Sequence, residues 1–255
     1  MGKDNGIGER LAAIVEAASG VILPLWRSGL TVHHKLDDSP VTEADRRGEA
    51  LILEALAREF PGVPVVAEEA SAEDGTPASI GRRFFLVDPL DGTKAFVRGE
   101  AHFTVNIGLI EDGRPIAGAV AAPATGQVWF TTPAGAAIRG FGEAQARPIH
   151  VRSRGERVLA LSSHTLKPEQ DQALRTRYGY TDRQSMDSSI KLCVLAEGGA
   201  DLYPRHGTTM EWDIAAGHAV LAAAGGALTT PDGAPFVYGK VAEGFKNGWF
   251  VARGG

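Results

Sequence analysis

Apolar residues at Ile7, Leu11, Ile14, Val15, Ala18, Val21, Ile22 and Leu25 recur every three or four positions, the period of a helix with one buried face. A second helix is predicted from Thr42 to about Phe60, with Leu51, Ile52, Ala55 and Leu56 inward and Arg46, Arg47 and Glu59 toward solvent. Pro61-Gly62 ends it. Two short apolar runs, Val63 to Ala67 and Phe84 to Val87, predict buried strands that lead directly into Glu68-Glu69 and into Asp88. Pro89 offers no amide hydrogen to a ladder, so the chain is expected to turn at Asp88.

From Phe103 to Ile138 the pattern becomes a meander. Phe103, Val105, Ile107 and Leu109 alternate, Ile116 to Ala121 and Val128 to Thr131 follow, and Asp112-Gly113 and Thr125-Gly126 mark the turns. After a basic stretch from Arg147 to Arg157, strands and helices alternate: strand Val158 to Ser162, helices near Pro168 to Tyr178 and Ser189 to Glu197, then strand Ala200 to Tyr203. A last helix starts near Trp212-Asp213 and stops at Gly225-Gly226. The change of pattern predicts two packed halves, residues 1–150 and 151–255, with a cleft between them.

The 255 residues suffice for a large core. With 26 basic against 31 acidic residues and a formal charge of −5, composition gives no support to a nucleic-acid-binding surface, and an acidic substrate needs a local basic pocket. The single cysteine, Cys193, rules out an intramolecular disulfide or a cysteine-based zinc cluster and fits the cytoplasm. Leu11 to Leu25 is apolar, but Glu9 precedes it, Glu16 interrupts it and Pro24 follows, so it reads as an amphipathic helix rather than a signal peptide. No run approaches the roughly 20 apolar residues of a membrane-spanning helix. A monomer or homodimer without stable membrane insertion is expected.

Chemistry concentrates in Asp88-Pro89-Leu90-Asp91-Gly92-Thr93. Two carboxylates on a turn supply the hard oxygens that magnesium prefers, and Gly92 lets backbone amides approach an anion. Asp45, Glu68, Asp88, Asp91 and Asp213 each stand where a helix starts or a strand ends. Each also has an ordinary explanation: Asp45 completes a capping box with Thr42, Asp213 suits the first turn of its helix, and Glu68 and Glu69 fit an exposed loop. Converging in a cleft, however, such acids repel unless divalent metals lie among them.

The Asp88 to Thr93 motif, with Glu68-Glu69 upstream and Trp212-Asp213-Ile214-Ala215-Ala216-Gly217 downstream, resembles the inositol monophosphatase and fructose bisphosphatase superfamily. Lys94 and Phe96, the stretch Phe103 to Ile107, and Leu202-Tyr203-Pro204-Arg205 bring it nearest the 3′(2′),5′-bisphosphate nucleotidases of the CysQ type. Ala95 departs from that subgroup, which often has glutamate there. The similarity runs from about Ser39 to Gly226 and implies a layered α-β-α-β-α sandwich, with a mainly antiparallel first half and an α/β second half. It further implies that Glu68, Asp88, Asp91, Asp213 and the Leu90 carbonyl hold two or three magnesium ions. Thr93 and Asp45, with Glu68, activate the attacking water, and lithium inhibits.

Under the same resemblance, Asp91, Gly92, Thr93 and Asp213 contact the reacting phosphate. His164, Ser188, Lys191 and Arg205 match nucleotide-contacting positions, and together they suit a second phosphate. Taken singly they also read as caps or exposed charges, and Tyr203 and Trp212 as packing. The implied activity is magnesium-dependent conversion of adenosine 3′,5′-bisphosphate to AMP and phosphate, with 3′-phosphoadenylyl sulfate as a further substrate and a place in sulfur assimilation. Alternatives are an inositol-phosphate or sugar-phosphate phosphatase and a non-catalytic regulator on the same fold. The three-residue spacing of Asp88 and Asp91 differs from the Asp-x-Asp of haloacid-dehalogenase phosphatases and favours direct water attack over a phosphoaspartate.

Overall fold

The computed structural model describes residues 6–29, 32–34 and 40–255; Ser39, where the resemblance begins, lies outside them. The first helix, α1 (Ile7–Ile22), gives way to a single 3-10 turn at Leu23–Leu25, because Pro24 cannot continue the α-helical ladder. Strands β1 (His33–His34) and β2 (Pro40–Val41) form a small antiparallel pair ahead of α2 (Glu43–Glu59). A seven-stranded sheet follows: β3 (Val65–Ala67), β4 (Arg83–Asp91), β5 (Thr104–Glu111), β6 (Arg114–Ala122), β7 (Gln127–Thr132), β8 (Gly135–Gly140) and β9 (Arg147–Ile149), paired in that order. Short helices α3 (Glu68–Asp74) and α4 (Thr93–Val97) leave the ends of β3 and β4. Only the β3–β4 pair is parallel; the others are antiparallel.

Beyond Ile149 the chain builds β10 (Leu159–Ser162), α5 (Pro168–Tyr178), β11 (Asp182–Ser185), α6 (Ile190–Ala196) and β12 (Leu202–Arg205). Then come β13 (Thr209–Met210), α7 (Glu211–Ala223), β14 (Ala227–Thr229), β15 (Lys246–Asn247) and β16 (Phe250–Arg253). The second sheet has the order β11-β10-β12-β16-β14, parallel across its first three strands, and β13 pairs with β15. The strand Ala200 to Tyr203 is thus shifted to Leu202–Arg205, and β9, β14 and β16 were not foreseen. β16 is a central strand only four residues long, too short for its alternation to stand out.

Five layers result. Helices α1 and α2 cover one face of the large sheet; α7 covers the other and packs on α6, which contacts β12. Leu174 of α5 joins Ala160, Leu202 and Val251 on the outer face of the second sheet. Period-2 alternation explains why β4 reads as one unbroken apolar run: Phe85 and Val87 face the α1–α2 core, while Phe84 and Leu86 face the α7 core. Helix α7 is buried nearly all round, as a middle-layer helix must be. Its Ala215 and Ala216 lie so close to β5 and β6 that a Cβ on Gly108 or Gly118 would fall within 2.8 Å of them.

Two expectations need correction. The chain does not leave the sheet at Asp88: β4 continues to Asp91, and its register against β5 slips between those two residues. Pro89 falls in that slip, where its missing donor does not break a regular ladder. Glu68 and Glu69 are not loop acids; they open α3, and Glu69 is buried.

Candidate active site

Where the C-terminal ends of β3 and β4 meet the N-terminus of α7, a cavity of about 570 Å³ opens between the two sheets. Glu68, Asp88, Leu90, Asp91, Gly92, Thr93 and Asp213 line it from the β3 and β4 ends and the start of α7, and His164, Ser188, Lys191 and Arg205 line it from the ends of β10, β11 and β12 and from α6. Asp45 is the one candidate residue outside the lining: it is buried directly behind Thr93. Asp88 and Asp91 come from the end of β4, and Asp45, Glu68 and Asp213 from the starts of α2, α3 and α7, so the fold itself gathers the acids.

Burial, then the charges of Glu68, Asp91 and Asp213, push the Asp88 carboxyl well above its ordinary range. Asp213 is raised in the same way by burial, Asp91 and Glu68. Asp91 is raised by burial, but the Lys191 ammonium works against the shift. One oxygen of each aspartate is tied to an amide: Leu90 donates to Asp88 at 3.0 Å, Ser189 to Asp91 at 2.6 Å and Met210 to Asp213 at 2.8 Å. These bonds fix the carboxylates without neutralising their mutual repulsion.

Among the described residues, no three acid, histidine or cysteine side chains stand at closed metal-ligating spacing. The donor set nonetheless fits magnesium, being hard carboxylate oxygens whose burial and mutual repulsion raise Asp88 and Asp213. Asn106, the cross-strand partner of Asp88, adds two buried polar atoms with no partner. The Leu90 carbonyl accepts the Thr93 hydroxyl at 3.0 Å and keeps a second lone pair for a cation.

Thr93 Oγ1 also lies 3.2 Å from Asp45 Oδ1. Asp45 Oδ2 meanwhile accepts the Thr42 amide and hydroxyl, both at 2.7 Å, and the Thr42 hydroxyl accepts the Ala44 amide at 3.1 Å. The capping box and the Thr93 partner are therefore one residue, so Asp45 serves helix α2 and the site together. Burial lifts its carboxyl to about 6. Gly92, at φ 94°, makes the turn into α4, and a Cβ there would fall 2.7 Å from the His102 carbonyl.

The opposite wall is cationic. Lys191 is only 4% exposed, which removes its reading as a solvated charge. Its ammonium donates to the carbonyls of Met186 (3.1 Å) and Ser188 (2.6 Å), leaving one N–H for a ligand, and burial lowers it to about 8. Ser188 is in the left-handed region at φ 58°, a strained backbone that turns its carbonyl to Lys191. Arg205 donates through Nη2 to Thr208 at 3.4 Å, while its buried Nε has no partner. A buried guanidinium N–H left unpaired is expensive, and an anion in the cavity would satisfy it.

Several parts were missed from the sequence. Ser189 joins the halves, its amide bonded to Asp91 and its hydroxyl to the Asp213 carbonyl, and Thr104 approaches Asp91 at 3.5 Å. A helix-start serine carries no sign of such a long-range role. Phe96, by contrast, packs edge-on against Phe103 in the α1–α2 core, away from the cavity, and Ala95 beside it is buried. Lys94 is an exposed residue of the cavity lip. Trp212 and Tyr203 are buried, as packing residues should be, although both touch the cavity.

The sequence profile of the inositol monophosphatase family matches residues 9–250. The 3′(2′),5′-bisphosphate nucleotidase CysQ of Salmonella typhimurium is 37% identical over 223 residues, 85% of this chain and 87% of that protein. A histidinol-phosphatase of Mycobacterium tuberculosis is 35% identical over 210 residues, 80% of this chain and 79% of its own. The crystal structure of CysQ from Bacteroides thetaiotaomicron superposes with a TM-score of 0.78 at 29% identity, covering 99% of this chain and 97% of the other.

Proposed function

This chain belongs to the inositol monophosphatase family, and we propose that within it the enzyme removes the 3′-phosphate of adenosine 3′,5′-bisphosphate, yielding AMP and phosphate. The reading rests on one observation: a single cavity lined by the crowded acids Glu68, Asp88, Asp91 and Asp213 and also by Lys191 and Arg205, whose Nε has no partner. That pairing suits a substrate with two anionic ends, one at the acids and one at the cations. The CysQ relative supports the same assignment. The sulfated nucleotide, 3′-phosphoadenylyl sulfate, fits the same arrangement.

Glu68, Asp88, Asp91, Asp213 and the Leu90 carbonyl would hold two or three magnesium ions, with lithium as inhibitor. Bound there, magnesium neutralises the phosphate dianion and eases ionisation of the attacking water. Thr93 orients that water and takes its proton as the Thr93 hydroxyl proton passes to Asp45, whose carboxylate is ionised above about pH 6. Glu68 assists from α3. Amides of the Gly92–Thr93 turn hold the phosphoryl oxygens. On the other wall Lys191, Arg205, Ser188 and His164 hold the 5′-phosphate and ribose. With a division near residue 150, the acids of α2, α3 and β4 belong to one half and Asp213, with Lys191 and Arg205, to the other. A cytoplasmic monomer or homodimer completes the reading.

The histidinol-phosphatase relative favours a second reading, hydrolysis of a small monophosphate. Phosphate release from adenosine 3′,5′-bisphosphate, inositol 1-phosphate, fructose 1,6-bisphosphate and histidinol phosphate, compared at equal concentration with magnesium, decides between them. The highest kcat/KM is expected for the nucleotide. A clear preference for any monophosphate sinks the nucleotidase assignment.

A further inference from the structure

Strands β10, β11 and β12 run parallel, and β11 and β12 lie on opposite sides of β10. The connection through α5 therefore leaves one face of the sheet and the connection through α6 the other. At such a divergence the C-terminal ends of neighbouring strands open a crevice, the usual ligand seat of open α/β sheets. Here the crevice lies between the loop after β10, which carries His164 into the cavity, and the end of β12, which carries Arg205.

One step past Arg205, the register that pairs it with Phe250 sets His206 opposite Trp249. Their rings stack with centroids 3.7 Å apart and planes inclined 40°. Trp249 is 49% exposed, whereas Trp129 and Trp212 are buried. His206 is fixed from behind: the Gln170 side chain accepts the Lys167 amide at 3.1 Å through Oε1, so its Nε2 donates to His206 Nδ1, also at 3.1 Å. A half-exposed indole backed by an imidazole that directly follows Arg205 of the cavity lining has the properties of a stacking surface for a flat ring.

We propose that the His206–Trp249 pair is the platform on which the substrate's nucleobase stacks, with Trp249 setting the preference for nucleotides over base-free phosphates. The inference deepens the nucleotide reading above and rests on it for the identity of the ring. It is tested with AMP and ribose 5-phosphate, two phosphates that differ by the base. In the full-length protein AMP should quench the exposed tryptophan while ribose 5-phosphate should not. Trp249→Ala should weaken AMP binding about tenfold, the usual scale for one base–aromatic stack, with a smaller change for ribose 5-phosphate. Trp249→Phe should lose the quench yet keep AMP binding near the wild-type value, which separates stacking from a folding defect. Equal weakening of both ligands, or no change for AMP, overturns the platform. The nucleotidase reading fails by a different sign, absence of adenosine 3′,5′-bisphosphate hydrolysis in the wild type; AMP quenching through Trp249 would then still uphold the platform.

Discussion

The acidic wall is assembled from strand ends and helix starts around the large sheet, with Asp88, Asp91 and Asp213 each held by a backbone amide, whereas the cationic wall comes from loops and short elements of the second sheet. On the acidic side, burial and mutual repulsion raise Asp88, Asp91 and Asp213 together. On the cationic side, burial lowers Lys191 to about 8, and Arg205 keeps an unsatisfied Nε. The two groups offset each other in part, Lys191 acting on Asp91 and Arg205 on Asp213, yet Asp88 and Asp213 stay raised and the Arg205 Nε stays without a partner. The difference is in what each asks for: the acids need cations, and the cations need an anion.

If the acidic wall carries the chemistry, Asp91→Asn should lower kcat for every phosphate ester, on the order of 100-fold or more. The same change removes one of the crowded charges, so the magnesium-free variant should melt higher than the wild type, seen by calorimetry in EDTA. Full retention of magnesium-dependent turnover would break the assignment. Thr93→Ala should cost about 100-fold in kcat with KM little changed, since it removes the group that orients water rather than one that binds substrate.

A smaller effect separates the walls by pH. An acid whose folded pKa is raised binds its proton longer in the native state, so stability is lost as pH rises from the unfolded value near 3.8 to the folded value, about 6 for Asp45. The metal-free protein should lose part of its stability through that window. Magnesium should raise the melting temperature more at pH 7.5 than at pH 5, because its ligands must be deprotonated. An equal rise at both values would contradict the metal site. Thr42→Ala should be the mildest, destabilising by about 1 kcal/mol through the lost cap in chemical denaturation. It should also lower activity through Asp45, and the two losses together would show that cap and site share one carboxylate.

Periodicity placed Glu68 and Asp88 where apolar runs stop, but each acid alone also read as an ordinary cap or loop residue, and it was the resemblance of the Asp88 to Thr93 and Trp212 to Gly217 motifs that grouped them with Asp213. The bulge at Pro89 was hidden, since a proline in a strand edge and a proline in a turn look alike in one dimension. The second sheet was half legible: β10, α5 and α6 announced themselves, but β14 and β16, three and four residues long, did not. Ser189's bond to Asp91 spans 98 residues, and the facing of His206 and Trp249 depends on β16 pairing with β12. Local pattern records neither.

The central claim is a division of labour between the walls, and Lys191→Met tests it most directly by keeping an unbranched buried stem while deleting its charge. The measurement is the ratio of kcat/KM for adenosine 3′,5′-bisphosphate to that for 2-glycerophosphate, wild type against variant, in the same magnesium buffer at pH 7. Lys191 is charged there, below its value of about 8. Loss of a charge-assisted contact to the second phosphate should lower that ratio about tenfold or more. An unchanged ratio, with both substrates impaired equally or neither impaired, would contradict the account.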